Sequence, residues 1–365
     1  MNILYFANAR IPTEKAHGFQ IMKMCASFAA AGAAVHLVLP RRKNNLSDDP
    51  FSYYGVARTF TISWVPTMNV LWLGKGGYYI QTAWFACACL VYGLRHTADV
   101  YYSRDESALF FLKYFKRTVL EVHAVPTKHI FFYRLIIAGI AKFISTNQWK
   151  ANFLKTTCGV GAEQIVVFPN AVDIPEHQAR ASACAALWLA PEKKYVVYVG
   201  HLYEWKGAHV LAAAAALLPA DTEVIFVGGL DADVAKLQKI NSRIRCVGHQ
   251  RRDVVQHYLA AADLLVLPNV PVTEESVYAT SPMKLFEYMA AQKPIIASDL
   301  PSIREIVDES SATLVPPGDA VALARAIEEV FAHPEQAQQK VRRAFEVVRT
   351  HTWDARAHAI LNFIV

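Results

Sequence analysis

Short apolar runs alternate with helix-length segments along the first half of the chain. The strand-like runs are "NILYFA", "AAVHLVLP", "DVYYS", "TVLEVHA", "FIS" and "IVVFP", and helical stretches such as "FQIMKMCASFAAAG" lie between them. Strands that alternate with helices form parallel sheets with helices on both faces. The pattern therefore predicts a Rossmann-like α/β unit that opens with a βαβ motif.

The same alternation restarts after an irregular stretch at residues 171–193. Its strand-like runs are "YVVYVG", "EVIFVGG", "IRCVG", "LLVLP", "PIIAS" and "ATLVPP". We therefore predict two doubly wound α/β domains, residues 1–172 and 173–350, with a helix at 351–365 that packs back on the first. Ligands of such sheets bind at the carboxyl ends of the strands, so the two domains are expected to face a cleft.

The most apolar segment is residues 69–94, "NVLWLGKGGYYIQTAWFACACLVYGL". Lys75 interrupts it, and the apolar part that follows contains Gln81 and Thr82, which makes it marginal for a membrane span. We expect a helix packed in the core, with an interfacial helix facing lipid as the alternative.

Composition adds a cellular setting. The chain has 365 residues, 54% hydrophobic and 19% charged, with six scattered cysteines and no visible signal peptide, which predicts a globular, reduced, cytoplasmic protein. Residues 1–173 hold 18 Lys and Arg against 9 Asp and Glu, a net charge of +9, whereas the remainder carries −3. We expect the first domain to meet an anionic substrate or the inner face of the cell membrane, through basic clusters at 41–43 and 113–117. No nucleic-acid partner is expected.

One helix start carries a lysine in an unfavourable place. In "TSPMKLFEYMAAQKP" (280–294), Ser281 can cap the helix and Pro282 suits its first position. Lys284 then falls in the first turn, where the helix dipole already places partial positive charge. The sequence therefore predicts an anion at this helix start.

A second loop supplies a second lysine. "VGHLYEWKG" places Gly200 after a strand, then His201, and Lys206 directly before a helix. Two lysines at helix N-termini would neutralise a diphosphate, whereas either one alone is more simply a solvated surface residue. Glu287, on the same helix face as Lys284, either binds a ribose or forms an internal salt bridge to Lys284.

These motifs, with "SPMKLFEYMAAQKPIIASDLPSIREIV", "LVPPGD" and "TWDARA", resemble the retaining glycosyltransferases of family four, which have the GT-B fold. "IPTEKAHGFQIMKMCASFAAAG", "DVYYSRD", "EVHAVP" and "VVFPNAVD" resemble the first half of that family more weakly. The resemblance implies a donor of the UDP-sugar or GDP-sugar type, bound mainly by the second domain.

The resemblance also implies donor-binding residues in the second domain. Lys206 matches the lysine that binds the diphosphate, and Glu287 matches the glutamate that holds the ribose. His201 stands where the family usually has arginine, and Ala279 replaces the first of two paired glutamates. Residues 274 and 275, both glutamates, would compensate or are exposed loop charges. The other residues implied to bind the donor are Gly200, Val247, His249, Ser281 and Lys284.

In the first domain, Gly18 matches the glycine near the donor phosphates, and His123 matches the strand-end histidine that reaches the transferred sugar. His123 and Lys206 are thus the expected catalytic residues, with a purely structural histidine as the alternative for His123. Arg104 and Asp105 also end a strand and are expected on the acceptor side.

The expected function is transfer of a sugar, with retention, from a nucleotide diphosphate to a saccharide or lipid-linked acceptor in cell-surface polysaccharide or glycolipid synthesis. The alternatives are a nucleotide-sugar epimerase on the same fold and a non-catalytic nucleotide-sugar-binding protein. Neither a cofactor nor a metal is expected, because the acidic "DAD" at 231–233 opens a helix, where acids are favoured anyway. No GxGxxG follows the first strand, which argues against a dinucleotide dehydrogenase.

Overall fold

The computed structural model describes residues 1–365 apart from the side chains of Leu71 and Glu275. The chain divides into two compact units. Unit 1 comprises Met1–Pro169 and Trp353–Val365, and unit 2 comprises Asn170–Thr352.

Unit 1 is a seven-stranded parallel sheet with helices on both faces. Its strands are β1 (Asn2–Phe6), β2 (Ala34–Pro40), β3 (Thr61–Val65), β4 (Val100–Ser103), β5 (Thr118–Val122), β6 (Lys142–Ser145) and β7 (Ile165–Val167). Its helices are α1 (Ala16–Ala30), α2 (Pro50–Tyr54), α3 (Gly74–Arg95), α4 (Glu106–Leu109), α5 (Ile130–Ile137) and α6 (Gln148–Thr156), with α15 (Trp353–Ile364) added from the end of the chain. The strand order is β3-β2-β1-β4-β5-β6-β7. Sequence reasoning missed β3, "TISWV", because this edge strand is mostly half-exposed and has no continuous apolar run.

Unit 2 is a six-stranded parallel sheet. Its strands are β8 (Lys194–Val199), β9 (Thr222–Val227), β10 (Arg245–Cys246), β11 (Leu264–Leu267), β12 (Ile295–Ser298) and β13 (Thr313–Val315). Its helices are α7 (Arg180–Ala186), α8 (Ala208–Ala214), α9 (Asp231–Ile240), α10 (Arg252–Ala261), α11 (Met283–Ala290), α12 (Pro301–Arg304), α13 (Ala320–Ala332) and α14 (Pro334–Val348). The strand order is β10-β9-β8-β11-β12-β13. Two doubly wound parallel sheets confirm the predicted α/β fold.

The order of each sheet reverses once, between β1 and β4 in unit 1 and between β8 and β11 in unit 2. Ligands of open α/β sheets bind beyond the carboxyl ends of the strands at such a reversal. The loops that follow β1, β4 and β8 are therefore the places where the topology favours a ligand.

Each sheet is held by apolar residues that alternate between its two faces. Along β8, Tyr195 and Val197 join one core cluster of unit 2 with Leu285 of α11, whereas Tyr198 joins the other cluster with Leu211 of α8. This period of two is the geometry of a strand buried on both sides.

Helix α3 has one buried side and one exposed apolar side. Phe85 and Cys89 are fully buried, as expected for a packed helix. Trp72, just before the helix, and Tyr79 are 79% and 69% exposed, and Trp84 is exposed as well. Helical packing therefore accounts for only part of this apolar segment. No helix in the described part of the chain is long and apolar enough to cross a bilayer.

Candidate functional site

The loop after β8 makes room for a lysine from another helix. Gly200 has a φ of +126°, a conformation that favours glycine, and its N–H donates to the carbonyl oxygen of Val227 at 2.7 Å. A Cβ at this position would lie 2.3 Å from Cε of Lys284. Glycine thus allows the Lys284 side chain to lie against the end of β8.

Lys284 is held by an aromatic residue. Its Nζ donates to the Tyr198 hydroxyl at 2.7 Å and lies 3.9 Å from the centre of that ring. Burial lowers the pKa of Lys284 well below its usual range, and the charge of Lys206 lowers it further, whereas Glu287 opposes the shift. Among the described side chains, no carboxylate forms an ion pair with Lys284. The cation therefore lies in a partly buried place without a paired anion.

Lys206 is the second cation of this site. It ends the short turn Glu204–Lys206 before α8, and its Nζ lies 3.7 Å from the centre of the Trp205 ring. Burial lowers the pKa of Lys206 to about 8. The charge of Lys206 lowers the pKa of Lys284, so the two lysines lie within electrostatic range of each other. Two destabilised ammonium groups close together favour a ligand with two or more negative charges.

Glu287 does not form the internal salt bridge to Lys284 that the sequence left open. Its Oε1 lies 3.3 Å from Nη2 of Arg252, a residue of α10 that sequence reasoning did not single out. Burial raises the pKa of Glu287, although Arg252 and Lys284 counter this effect. The carboxylate is mostly buried, and a ligand hydroxyl would have to share it with Arg252.

The prediction that Ser281 caps α11 is wrong. The residue that precedes the helix is Pro282, and no side chain caps the first turn. Ser281 instead accepts a hydrogen bond from the backbone N–H of Asn170 at 3.3 Å, and its carbonyl oxygen accepts one from the Asn170 side chain at 2.6 Å. Ser281 is thus engaged elsewhere, and the backbone N–H of Leu285 donates to the carbonyl oxygen of Pro282 at 3.0 Å. The N–H groups of Met283 and Lys284 remain without a capping side chain among the described residues.

The remaining predicted donor residues lie on neighbouring loops of unit 2. The ring of His201 stacks on Tyr203 with 5.1 Å between ring centres, and the carbonyl oxygen of His201 accepts from the Tyr198 hydroxyl at 2.6 Å. Val247 donates its N–H to the carbonyl oxygen of Phe226 at 3.0 Å, whereas His249 is exposed.

Ala279 stands where the resemblance implies a glutamate, and Glu274 and Glu275 were the residues that would compensate for it. Ala279 is buried and Glu274 is exposed, so Glu274 has the surroundings of a loop charge. The side chain of Glu275 lies outside the described residues. No polar side chain occupies position 279 itself.

In unit 1, Gly18 lies at a close approach between α1 and the loop before it. A Cβ there would be 2.1 Å from the Tyr54 hydroxyl oxygen and 2.6 Å from Cγ2 of Thr13. The Tyr54 hydroxyl accepts from the backbone N–H of Thr13 at 2.7 Å and donates to its carbonyl oxygen at 2.8 Å. Glycine is therefore required sterically, and the loop after β1 is fixed by Tyr54.

His123 belongs to a buried network that sequence reasoning did not anticipate. Glu121 of β5, whose side chain is 5% exposed, lies 2.8 Å from Nη2 of Arg356 of α15 and 2.7 Å from Nε2 of His123. The Tyr102 hydroxyl donates to its other oxygen at 2.5 Å. Burial alone would raise the pKa of Glu121, but Arg356 and His123 hold it well below its usual range. Burial and the charge of Arg104 lower the pKa of His123, so the neutral imidazole donates from Nε2 to an ionised carboxylate.

Arg104 and Asp105 follow β4 at the point where the sheet order reverses. The backbone N–H of Asn8 donates to Oδ2 of Asp105 at 2.8 Å, and Nη1 of Arg104 donates to Oε1 of Gln20 at 3.0 Å. Burial raises the pKa of Asp105, against the opposing effects of the Asn8 N–H and of two arginines, Arg104 and Arg42.

The polar glutamate inside the apolar run "TVLEV" was the one signal in the sequence that could have revealed the network around His123.

Comparison with known proteins places this geometry in context. Residues 193–333 match the family model described as Glycosyl transferases group 1. The chain is 27% identical over 184 residues to the processive diacylglycerol alpha-glucosyltransferase of Acholeplasma laidlawii, covering 47% of this chain and 53% of that protein. It is 29% identical over 206 residues to the phosphatidyl-myo-inositol mannosyltransferase of Mycobacterium leprae, covering 53% of each. The chain spans little more than half the length of these curated relatives.

Solved structures share the fold along the whole chain. Sucrose-phosphate synthase from Thermosynechococcus elongatus matches with a TM-score of 0.81 at 19% identity, covering 99% of this chain and 97% of that one. Anabaena HepE, solved in complex with UDP and glucose, matches with a TM-score of 0.75 at 17% identity, covering 99% and 98%. The fold is therefore that of GT-B glycosyltransferase structures.

Proposed function

We propose that this protein is a retaining glycosyltransferase that moves a sugar from a nucleotide-diphosphate donor to a saccharide or lipid-linked acceptor. The observation that carries the proposal is the position of two lysines: Lys284 lies against Gly200 at the end of β8, where the order of the unit 2 sheet reverses, and Lys206 ends the turn that follows this strand. Both lie inside the segment that matches the Glycosyl transferases group 1 model. The two curated relatives are named as a glucosyltransferase and a mannosyltransferase, and HepE was solved with UDP.

In this proposal, unit 2 binds the donor. Lys206, Lys284 and the uncapped start of α11 stabilise the charge that develops on the leaving diphosphate, which is electrostatic catalysis by preorganised cations. Glu287 accepts a hydrogen bond from the ribose, and Gly200 keeps the space that the Lys284 side chain needs. Val247 and His249 lie on the segment assigned to the base.

Unit 1 contributes the acceptor side and the sugar contact. His123, neutral and oriented by Glu121, presents its other ring edge to the transferred sugar, and Gly18 leaves the start of α1 open to the substrates. Arg104 and Asp105 serve the acceptor. Retention of anomeric configuration is the expected stereochemistry, and the setting is polysaccharide or glycolipid synthesis on the inner face of the cell membrane.

The membrane part of the proposal rests on the exposed apolar side of α3 and on exposed aromatic residues of α5. Phe131 and Phe132 are exposed, as is Arg134 beside them. Lys113 of the basic cluster at 113–117 does not contribute to this surface as expected. It is buried, and its Nζ donates to the carbonyl oxygens of Leu135 and Ile136 at 2.7 Å each. Lys113 therefore caps the carboxyl end of α5, and its charge is not exposed to solvent.

The test is a panel of nucleotide sugars. Thermal-shift measurements with UDP-glucose, UDP-galactose, UDP-N-acetylglucosamine, GDP-mannose and the free nucleotides should identify one base through a raised melting temperature. Turnover of that donor with saccharide and lipid acceptors, followed by NMR of the product, should show the same anomeric configuration as the donor. Binding without turnover across the acceptor panel would favour a non-catalytic protein, and an inverted product would refute retention.

A further inference from the structure

Unit 1 also has two arginines with an asparagine at the point where its sheet order reverses. Asn8, Arg42 and Arg104 each follow the carboxyl end of a strand, and those strands, β1, β2 and β4, are neighbours in the sheet. Sequence reasoning singled out only Arg104 for the acceptor side. The topology brings all three residues to the edge where the sheet order reverses.

Hydrogen bonds join these residues into one layer. Nη2 of Arg42 donates to Oδ1 of Asn8, and the backbone N–H of Asn8 donates to Oδ2 of Asp105 at 2.8 Å. Arg104, the residue before Asp105, donates from Nη1 to Gln20 at 3.0 Å. These arginine contacts are to amide oxygens, and among the described side chains neither guanidinium group forms an ion pair, although both act electrostatically on Asp105.

One donor of this layer has no acceptor among the described residues. Nε of Arg42 is buried and makes no hydrogen bond. A buried guanidinium N–H without an acceptor is costly, because it has lost water and gained nothing in return. Because Nε itself is buried, an anion would act on the charge of the half-buried guanidinium group and not through contact with this nitrogen.

Further charged groups of both signs surround the two arginines. Lys15 adds a charge, and burial together with Arg104 and Lys15 lowers the pKa of His17 to about 4. Of the nearby carboxylates, Glu14 is engaged by Arg10 at 2.9 Å. The other nearby carboxylates are Asp105 and Glu106, whose pKa values burial raises, and Glu121, whose pKa Arg104 helps to lower.

We propose that Arg42 and Arg104 bind a phosphate group carried by the acceptor. This inference rests on the proposed function, which assigns the acceptor to unit 1, and it names the acceptor class as phosphate-bearing. A guanidinium group offers several N–H donors in a fixed plane, which suits phosphate oxygens. Tyr78, exposed near the start of α3, is among the groups that influence the pKa of Arg42, so this part of α3 lies within electrostatic range of Arg42. A phosphate on a lipid or on a soluble sugar would meet the same two arginines.

His17 provides a local probe of this cluster that is separate from donor binding. In protein labelled with ¹³C and ¹⁵N at histidine, with the His17 signal assigned through His17→Gln, inorganic phosphate or glycerol 3-phosphate should produce a saturable shift at pH 7. Sodium chloride at the same ionic strength should not. Arg42→Gln and Arg104→Gln should each weaken this binding roughly 10-fold or more, as expected for a lost charged hydrogen bond. Arg95→Gln, an exposed arginine at the far end of α3, is the matched control and should change nothing.

A second arm separates the two sources of phosphate. Vesicles of phosphatidylcholine with phosphatidate are compared with vesicles of equal charge that contain phosphatidylserine, in wild type and in Arg42→Gln. Preference for phosphatidate that Arg42→Gln abolishes indicates a lipid-borne phosphate, whereas saturable binding of glycerol 3-phosphate alone indicates a soluble acceptor. The proposal is wrong if His17 responds to phosphate only as it does to sodium chloride, or if Arg42→Gln and Arg104→Gln, folded by melting temperature, bind phosphate like wild type. Sugar transfer by the wild type in that case would leave the proposed function standing.

Discussion

At the scale of single residues, Lys206 links donor binding to pH. Burial lowers its pKa to about 8 in the empty protein, and a diphosphate nearby would stabilise the ammonium form and raise that value. UDP binding should therefore take up protons near pH 8, and affinity should fall as pH rises above about 8. Calorimetry in buffers of different ionisation enthalpy measures the uptake, which should shrink in Lys206→Met. Affinity that stays constant from pH 7 to 9.5 would contradict this role.

Substitution of His123 distinguishes a catalytic role of this residue from a purely structural one. Because Arg356 still pairs with Glu121 when the imidazole is removed, His123→Ala should keep the fold and most of the nucleotide affinity. Sugar transfer should fall at least 10²-fold, the lower range for a residue that acts on the reacting groups. Melting curves, UDP titrations and transfer rates on the same preparation test this. A melting temperature that collapses would show a structural histidine instead.

Residue types and spacing predicted the cations of unit 2 but not their partners. Lys284 was recognisable because a lysine in a first turn opposes the helix dipole. Tyr198, the partner of Lys284, lies 86 positions away, and Arg252, the partner of Glu287, lies 35 positions away, and no local pattern connects such distant residues. For the same reason, the Arg42 contact to Asn8 becomes visible only when neighbouring strand ends are brought together.

At the scale of elements, α15 is fixed to unit 1 by a buried ion pair. The side chain of Arg356 is 4% exposed and reaches Glu121 at 2.8 Å, while Trp353 packs edge-on against Phe19 of α1. Removing one partner of a buried pair leaves an uncompensated charge. Arg356→Met should therefore destabilise the protein by roughly 3–5 kcal/mol.

Denaturant unfolding followed for both units measures this loss. Arg349→Met, an exposed arginine just before the last helix, is the control and should lie near wild type. Adding Glu121→Gln to Arg356→Met should restore part of the stability, since the stranded charge is then gone. Equal stability of Arg356→Met and wild type would show that the pair does not hold α15.

The exposed side of α3 predicts an interaction with lipid. Binding to vesicles with anionic lipid should weaken as salt rises, because salt screens charge attraction. Trp72→Ala with Tyr79→Ala should weaken it further through lost apolar contact. Trp188→Ala removes a tryptophan of unit 2 that is 93% exposed and serves as the control. Binding that is equal for neutral and anionic vesicles would remove the electrostatic part of the proposal.

Element boundaries followed from the sequence where strands are central and apolar, as in "YVVYVG" and "LLVLP". The edge strand β3 and the short helices α2 and α12 were not anticipated, because each is too short or too polar to show a period. The sequence also did not reveal that α11 starts without a cap. Serine is a common capping residue, whereas Ser281 forms a tertiary contact with Asn170, 111 positions away.

At the scale of the whole molecule, each unit presents cations where its sheet order reverses. In unit 2 these are Lys206 and Lys284, and in unit 1 Arg42 and Arg104. A shared fold alone would not require either pair, since one fold supports many functions. Charges at both reversals fit a reaction in which the donor carries a diphosphate and the acceptor a phosphate.

The central claim is that Lys284 serves a bound diphosphate and not the empty fold. Calorimetric titration of UDP and GDP into wild type, Lys284→Gln and Lys239→Gln tests it, with Lys239 as an exposed lysine of the same unit. The account predicts that Lys284→Gln weakens binding of the preferred nucleotide roughly 10- to 150-fold, as for a lost charged hydrogen bond of about 1.5–3 kcal/mol, while the empty variant melts at or slightly above wild type. Lys239→Gln should match wild type in both respects. Unchanged nucleotide affinity in Lys284→Gln, with a lower melting temperature of the empty protein, would show that the lysine supports Tyr198 in the core and would contradict the account.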